Sequence, residues 1–171
     1  MYDIARQIVD LLISHSQILV RSRPYDDDLS QWGTGNIDQG AVLHADYLIF
    51  DPLPDDAFGA KVYLQVLDKF EMDERAARCI VAPFHITDRN ALEVASASEK
   101  FKISLQLPLN SYDVYYEVCE GDEVFFKFTF VSEAEHHQAK YLRDDPWGGK
   151  KDMPLVPGKF DRLFASSVLA I

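Results

Sequence analysis

Between Arg23 and Lys61 the chain carries no lysine or arginine, although the segment holds eight aspartates: Asp26, Asp27, Asp28, Asp38, Asp46, Asp51, Asp55 and Asp56. That block accounts for most of the formal net charge of -11, since the rest of the chain has 20 acidic against 17 basic residues. A cation-free stretch of this length argues against nucleic-acid binding, which draws its affinity from Lys and Arg neutralising phosphates. Other things are missing too. Cysteine occurs only twice, at Cys79 and Cys119, with no C-x-x-C pair. A cysteine zinc site therefore has no support in the sequence, and two buried free thiols are expected over a single disulfide. No apolar run approaches the roughly 18 residues of a membrane span. Residues 1–12 interrupt their apolar pattern with Asp3, Arg6 and Asp10. They do not read as a secretory signal, and a cytoplasmic location is the expectation. There is no internal repeat, no G-x-S-x-G elbow, no phosphate-cradling glycine loop and no H-E-x-x-H.

What is present reads as one β-rich domain over residues 1–171, with 47% hydrophobic and 26% charged residues. Ile4, Ile8, Leu11 and Leu12 fall at helical spacing and predict a helix over residues 2–13. Gln17–Arg21 and Tyr47–Phe50 read as short strands. They flank an irregular, glycine-broken segment from Pro24 to Gly40, and residues 37–45 have room for a helical turn. From Lys61 onward strands are expected at 62–70, 78–86, 92–95, 101–107, 112–118 and 124–131. Phe101, Ile103, Leu105 and Leu107 alternate with polar residues. Pro83 marks an edge or a bulge. Glu120-Gly121-Asp122 marks a hairpin turn, with Val114, Tyr116 and Val118 facing Phe126, Phe128 and Phe130. Short strands with turn signals every 8 to 12 residues predict an antiparallel β-sandwich or partly open barrel. The N-terminal helix and the residue 132–171 tail then complete the chain. The tail holds a short helix at 133–142 and a mildly basic Pro/Gly loop. It packs on the core through Phe160, Leu163, Phe164, Val168 and Leu169, and can fold back onto the acidic block.

The aspartate block has a bland reading, a solvated loop, and a functional one, a face for a partner with a basic surface. The candidate partner-binding residues are Asp26, Asp27, Asp28, Trp32, Asp38, Asp55 and Asp56. Trp32 is either an interface anchor or a plug for a sheet end. Three consecutive aspartates do not have the alternating spacing of a calcium loop. His44 and Asp46 stand two apart and, with His85, are the residues a small metal-dependent enzyme would use. Their plain reading is structural, and no metal or other cofactor is assigned. His85 and Thr87 are assigned to the turn where a strand ends. His136 and His137 point opposite ways from the expected tail helix.

The run Val81-Ala82-Pro83-Phe84-His85-Ile86-Thr87, followed by Leu92-Glu93-Val94-Ala95-Ser96, resembles the competence protein J family. Ser14 and Gln17 belong to the same resemblance, as do Trp32 with Ile37 and Gly40, and Asp46 with Phe50. So does the pattern formed by Phe101, Leu105, Leu107, Pro108 and Tyr112. The similarity spans roughly residues 14–131, leaving residues 1–13 and the tail as additions. The resemblance implies a protein that binds a DNA-entry nuclease and blocks it without catalysis. It transfers no inhibitory residues. Two other readings remain: an interaction or scaffold module whose acidic loop pairs with its own basic tail, and the metal-dependent enzyme. The acidic hairpin from Asp113 to Glu123 competes with the aspartate block for the role of binding face.

Overall fold

The computed structural model describes residues 5–53, 59–132 and 138–159. Eleven strands form two sheets. The larger sheet contains β1 (Arg6–Leu12), β5 (Gly59–Leu67), β10 (Val124–Val131), β9 (Ser111–Glu120), β6 (Ala76–His85) and β11 (Lys140–Tyr141), in that order across the sheet. The smaller runs β3 (Ala41–His44), β4 (Tyr47–Phe50), β2 (Ile18–Ser22), β7 (Leu92–Ala95) and β8 (Lys100–Lys102). Every pairing is antiparallel except β5 with β10, which is parallel.

Alternation along the strands builds the core. Val114, Tyr116 and Val118 of β9 and Phe126, Phe128 and Phe130 of β10 are buried in one apolar cluster. Ile18, Val20, Leu48, Phe50 and Val94 of the smaller sheet join the same cluster. The Phe50 ring stacks on Tyr116 with centroids 4.2 Å apart, so the two sheets meet face to face through aromatic contact. No ladder joins the sheets into a closed barrel among the described residues. Their open sides are clasped instead. On one side Gln7 donates to Lys102 O (2.9 Å) and accepts from Ser104 N (2.8 Å), and Leu12 N donates to Glu99 (3.0 Å). On the other, Leu155 N donates to Ala139 O (2.9 Å) and Gly158 N to Leu43 O (3.0 Å).

The helix expected over residues 2–13 is instead strand β1 across Arg6–Leu12. Val9, Leu11 and Ile13 are the buried residues, at a period of two, while Ile8 and Leu12 are about half exposed. Two of the four residues at helical spacing are thus turned to water. The expected helix at 133–142 is likewise corrected at its end. Lys140–Tyr141 is a strand paired to Val81 and Ile80, because Tyr141 lies flat against the sheet edge with 1% exposure. Residues 133–137, with His136 and His137, lie outside the described residues, as do Phe160, Leu163, Phe164, Val168 and Leu169. Of the strand expected at 101–107, only Lys100–Lys102 pairs, as β8 against β7. Ile103, Leu105 and Leu107 are still buried and alternate with exposed neighbours. Alternation fixed which side chains turn inward but not whether a partner strand lay alongside. At Pro83, β6 has β9 on one side and has already passed the end of β11 on the other. Cys79 and Cys119 are free and buried. Burial pushes both thiols up, Cys119 to about 12, so neither is poised as a nucleophile. Among the described residues no helix is long and apolar enough to cross a membrane.

The segment between β2 and β3 is not wholly irregular. It holds a six-residue helix, α1 (Thr34–Gln39). The Asn36 side chain accepts from Gly33 N at 2.9 Å to open it. Gly40 closes it at φ 79°, a left-handed position suited to glycine. A Cβ on Gly40 would also stand 2.6 Å from the Arg78 guanidinium.

Candidate partner-binding face

The eight aspartates divide by what their carboxylates touch. Asp46 is 5% exposed, in the turn between β3 and β4. It accepts from Arg23 Nε at 2.9 Å and from Thr87 Oγ1 at 2.7 Å. Asp26 is half-buried and closes a turn by accepting from Leu29 N at 3.0 Å, with Arg23 Nη1 3.4 Å from its other oxygen. Asp51 accepts from Leu53 N at 2.8 Å. Asp27, Asp28 and Asp38 are exposed, and no ion pair involves them among the described residues. Asp55 and Asp56 lie outside the described residues. Of the candidate aspartates the structure describes, Asp26 is spent locally and three present free charge.

Trp32 is half-buried and packs on Leu19, Leu29, Val42, Tyr47, Ile49 and Ala95, the outer face of the smaller sheet. Its role in the structure is to cover that face. Tyr25 is the exposed aromatic of the segment, at 61%. Its hydroxyl donates to Asp27 Oδ1 at 3.0 Å, and that bond holds the phenol protonated above its usual range. Tyr47 fixes the loop from below: its hydroxyl lies 2.8 Å from Ser30 Oγ and accepts from Asp26 N at 3.3 Å. The acidic loop is therefore a set of turns tied to a sheet.

His85 and Thr87 stand where β6 ends. His85 Nδ1 lies 2.8 Å from Ser111 Oγ, and His85 N donates to Ala45 O at 2.7 Å. Thr87 N and Asp88 N both donate to Ser22 Oγ at 3.0 Å. With Thr87 on Asp46, these bonds join the end of a larger-sheet strand to two turns of the smaller sheet. His44 Nε2 lies 3.0 Å from Leu29 O. His44, Asp46 and His85 are thus each bonded to different partners. Among the described residues no trio of His, Cys, Asp or Glu is grouped to hold a metal ion.

The rival acidic region, the β9–β10 hairpin, has a different electrostatic makeup. Asp113 and Glu117 are buried. Glu120, Asp122 and Glu123 are exposed at the turn. Asp122 and Glu123 line a groove of about 550 Å³ that also gathers Arg6, Lys61, Arg75 and Lys127. Asp73, on its wall, takes Arg75 and Lys127 at 3.1 Å each. Those cations, Arg75 first, hold its carboxyl well below the usual range against the opposing effect of burial.

The tail reaches the acidic segment through amides. Val156 N donates to Gln39 Oε1 at 2.8 Å, and Gln39 Nε2 donates to Val156 O at 2.9 Å. Asn36 Nδ2 donates to Pro157 O at 3.1 Å. These three bonds are made by amides and not by charged groups. The helical turn allowed for at residues 37–45 stands earlier, as α1, and the clasp was missed in sequence, although Gly33, Asn36 and Gly40 at their spacing are the start and stop signals of a short helix.

The sequence model of the family Competence protein J (ComJ) matches residues 10–131. A solved structure, ComJ from Bacillus subtilis, described as an inhibitor of the DNA degrading activity of NucA, superposes with a TM-score of 0.61. The two are 16% identical, over 74% of this chain and 96% of that one. No curated protein matches the sequence. The family match runs from the end of β1 to the end of β10, including the aspartate block, and stops short of the tail; on that match the chain belongs to the competence protein J family.

Proposed function

We propose that this protein binds a nuclease of the DNA-entry type and blocks it, without catalysing a reaction of its own. Family membership supplies the class of activity, and the similar ComJ structure is described as an inhibitor of the nuclease NucA. The observation that carries the choice of face is the exposure of Asp27, Asp28 and Asp38 with no ion pair to them among the described residues. A nuclease that grips DNA offers a basic surface to phosphates. Carboxylates held on a tied-down loop compete for that surface and accelerate docking by long-range attraction. Tyr25, exposed beside Asp27, is the aromatic contact of this face, while Trp32 braces it from beneath. The same charge keeps the protein itself off nucleic acid.

The test is a titration of a purified DNA-entry-type nuclease, with degradation of linear DNA as the readout. Inhibition saturating near one inhibitor per nuclease supports the proposal. Full nuclease activity at a large molar excess of this protein would refute it for that enzyme.

A further inference from the structure

Asp27 and Asp28 sit on one closed turn. Ser30 N donates to Asp26 O at 3.1 Å, and Leu29 N donates to Asp26 Oδ1 at 3.0 Å. Gln31 N donates to Asp28 O at 3.3 Å, and the Gln31 side chain donates to Asp27 O at 3.0 Å. The carbonyls of all three consecutive aspartates are thus engaged inside the turn, while the side chains of Asp27 and Asp28 stay exposed.

The smaller sheet grips this turn from beneath. Tyr47 is fully buried, in the cluster that contains Leu19, Leu29 and Val42. A phenylalanine ring would fill the same space, so the hydroxyl adds nothing to that packing. It is directed at the turn instead. Ser30 Oγ donates to Asp26 O at 2.7 Å, which engages its single proton, so the 2.8 Å contact with Tyr47 is a donation from the phenol. Tyr47 OH in turn accepts from Asp26 N at 3.3 Å. One hydroxyl therefore holds the two residues that bracket Asp27 and Asp28. His44, paired with Tyr47 across β3 and β4, adds a donation from Nε2 to Leu29 O at 3.0 Å.

We propose that Tyr47 is a positioning residue for the nuclease-docking face: its hydroxyl keeps residues 26–30 in the shape in which Asp27 and Asp28 dock. This rests on the nuclease-binding reading above. Long-range attraction depends on charge and little on the shape of a loop. Close docking does depend on shape, because a loop ordered only on binding loses affinity to its own ordering. The aspartates then set the rate of encounter, and the hydroxyl beneath them sets how long the complex lasts.

The test compares wild type with Tyr47→Phe, Ser30→Ala, the double variant and Thr129→Val on immobilised DNA-entry-type nuclease. Tyr47→Phe is expected to raise the dissociation rate about three- to tenfold, with the association rate and its salt dependence kept. Hydrogen exchange at the amides of Leu29, Ser30 and Gln31 should quicken in the same variant. Ser30→Ala severs the same bond from the side of the turn, so the double variant should dissociate no faster than the faster single one. Should Tyr47→Phe fail to fold, Ser30→Ala alone reads that bond. Thr129→Val removes the buried 2.9 Å bond from Gln65 on the larger sheet. It should lower the melting temperature and leave dissociation as in wild type. Unchanged dissociation in Tyr47→Phe and Ser30→Ala, additive effects in the double variant, or equal acceleration by Thr129→Val would each overturn the positioning role and leave the acidic face standing. If wild type itself does not bind the nuclease, the nuclease-binding reading fails and this role fails with it.

Discussion

The Asp-rich connection and the β9–β10 hairpin are both acidic in sequence, yet the exposed carboxylates of the hairpin turn share a groove with four cations, whereas Asp27, Asp28 and Asp38 make no ion pair among the described residues. Arg75 and Lys127 hold Asp73, and with Arg6 and Lys61 they line the groove that Asp122 and Glu123 share. Glu117 is buried and accepts from Asp73 N at 2.8 Å. In the Asp-rich connection Arg23 is taken by Asp46 and Asp26. Asp27, Asp28 and Asp38 are left facing water. Formal charge counted along a segment does not measure surface charge. What counts is the remainder after the fold has matched its own pairs, and that remainder is negative on one region and nearly cancelled on the other.

Variants within each region sharpen this contrast. The largest stability loss is expected inside the Asp-rich block, for Asp46→Ala. It strips a buried carboxylate from Arg23 and Thr87 and should cost about 3 kcal/mol by urea denaturation. Asp73→Ala should cost less, about 1–2 kcal/mol, because Arg75 is 58% exposed and regains water. Asp27→Asn with Asp28→Asn should move stability by less than about 0.5 kcal/mol, since neither side chain supports the fold. A loss as large as that of Asp46→Ala would place those carboxylates in the fold and remove them from the face.

Half-buried Asp73 and buried Glu117, both on the hairpin side, should also respond to pH with opposite sign. Asp73 has a folded pKa below its unfolded one, so its contribution is present above about pH 4 and is lost as pH falls below that value. Glu117 is shifted upward, first by burial, so folding favours its protonated form and its contribution is lost as pH rises above about 4. Measured as urea midpoints, wild type should lose stability relative to Glu117→Gln as pH rises from 4 to 7. It should gain relative to Asp73→Asn as pH rises from about 2 to 4, with little further change above that. Parallel curves for wild type and Glu117→Gln would contradict the assignment of a buried, charge-averse Glu117.

Parts of this arrangement were legible in the sequence. Tyr47–Phe50 and Leu92–Ala95 read as strands with the bounds they have, because turn residues punctuate both ends. The inward faces of β9 and β10 followed from alternating aromatics. What escaped was set by contacts distant in sequence. Ile8 and Leu12 look like core in a one-dimensional pattern, but the edge position of β1 leaves their side of the sheet exposed. The parallel pairing of β5 with β10 has no local signal, since residues 68–123 intervene. The proposed binding face was only half legible. The cation-free run was plain, but sorting Asp26 and Asp46 from Asp27, Asp28 and Asp38 required knowing where Arg23 and Thr87 would lie.

The central claim is tested most directly by the association rate of this protein with a DNA-entry-type nuclease as a function of salt. Three forms are compared: wild type, the Asp27→Lys/Asp28→Lys/Asp38→Lys variant, and a Glu120→Lys/Asp122→Lys/Glu123→Lys variant with the same change in net charge. The account predicts that reversing the Asp-rich face slows association at least about tenfold at low salt, with the gap shrinking at high salt. Reversing the hairpin turn should have a much smaller effect. Equal slowing by both reversals, or slowing by the hairpin reversal alone, would contradict it.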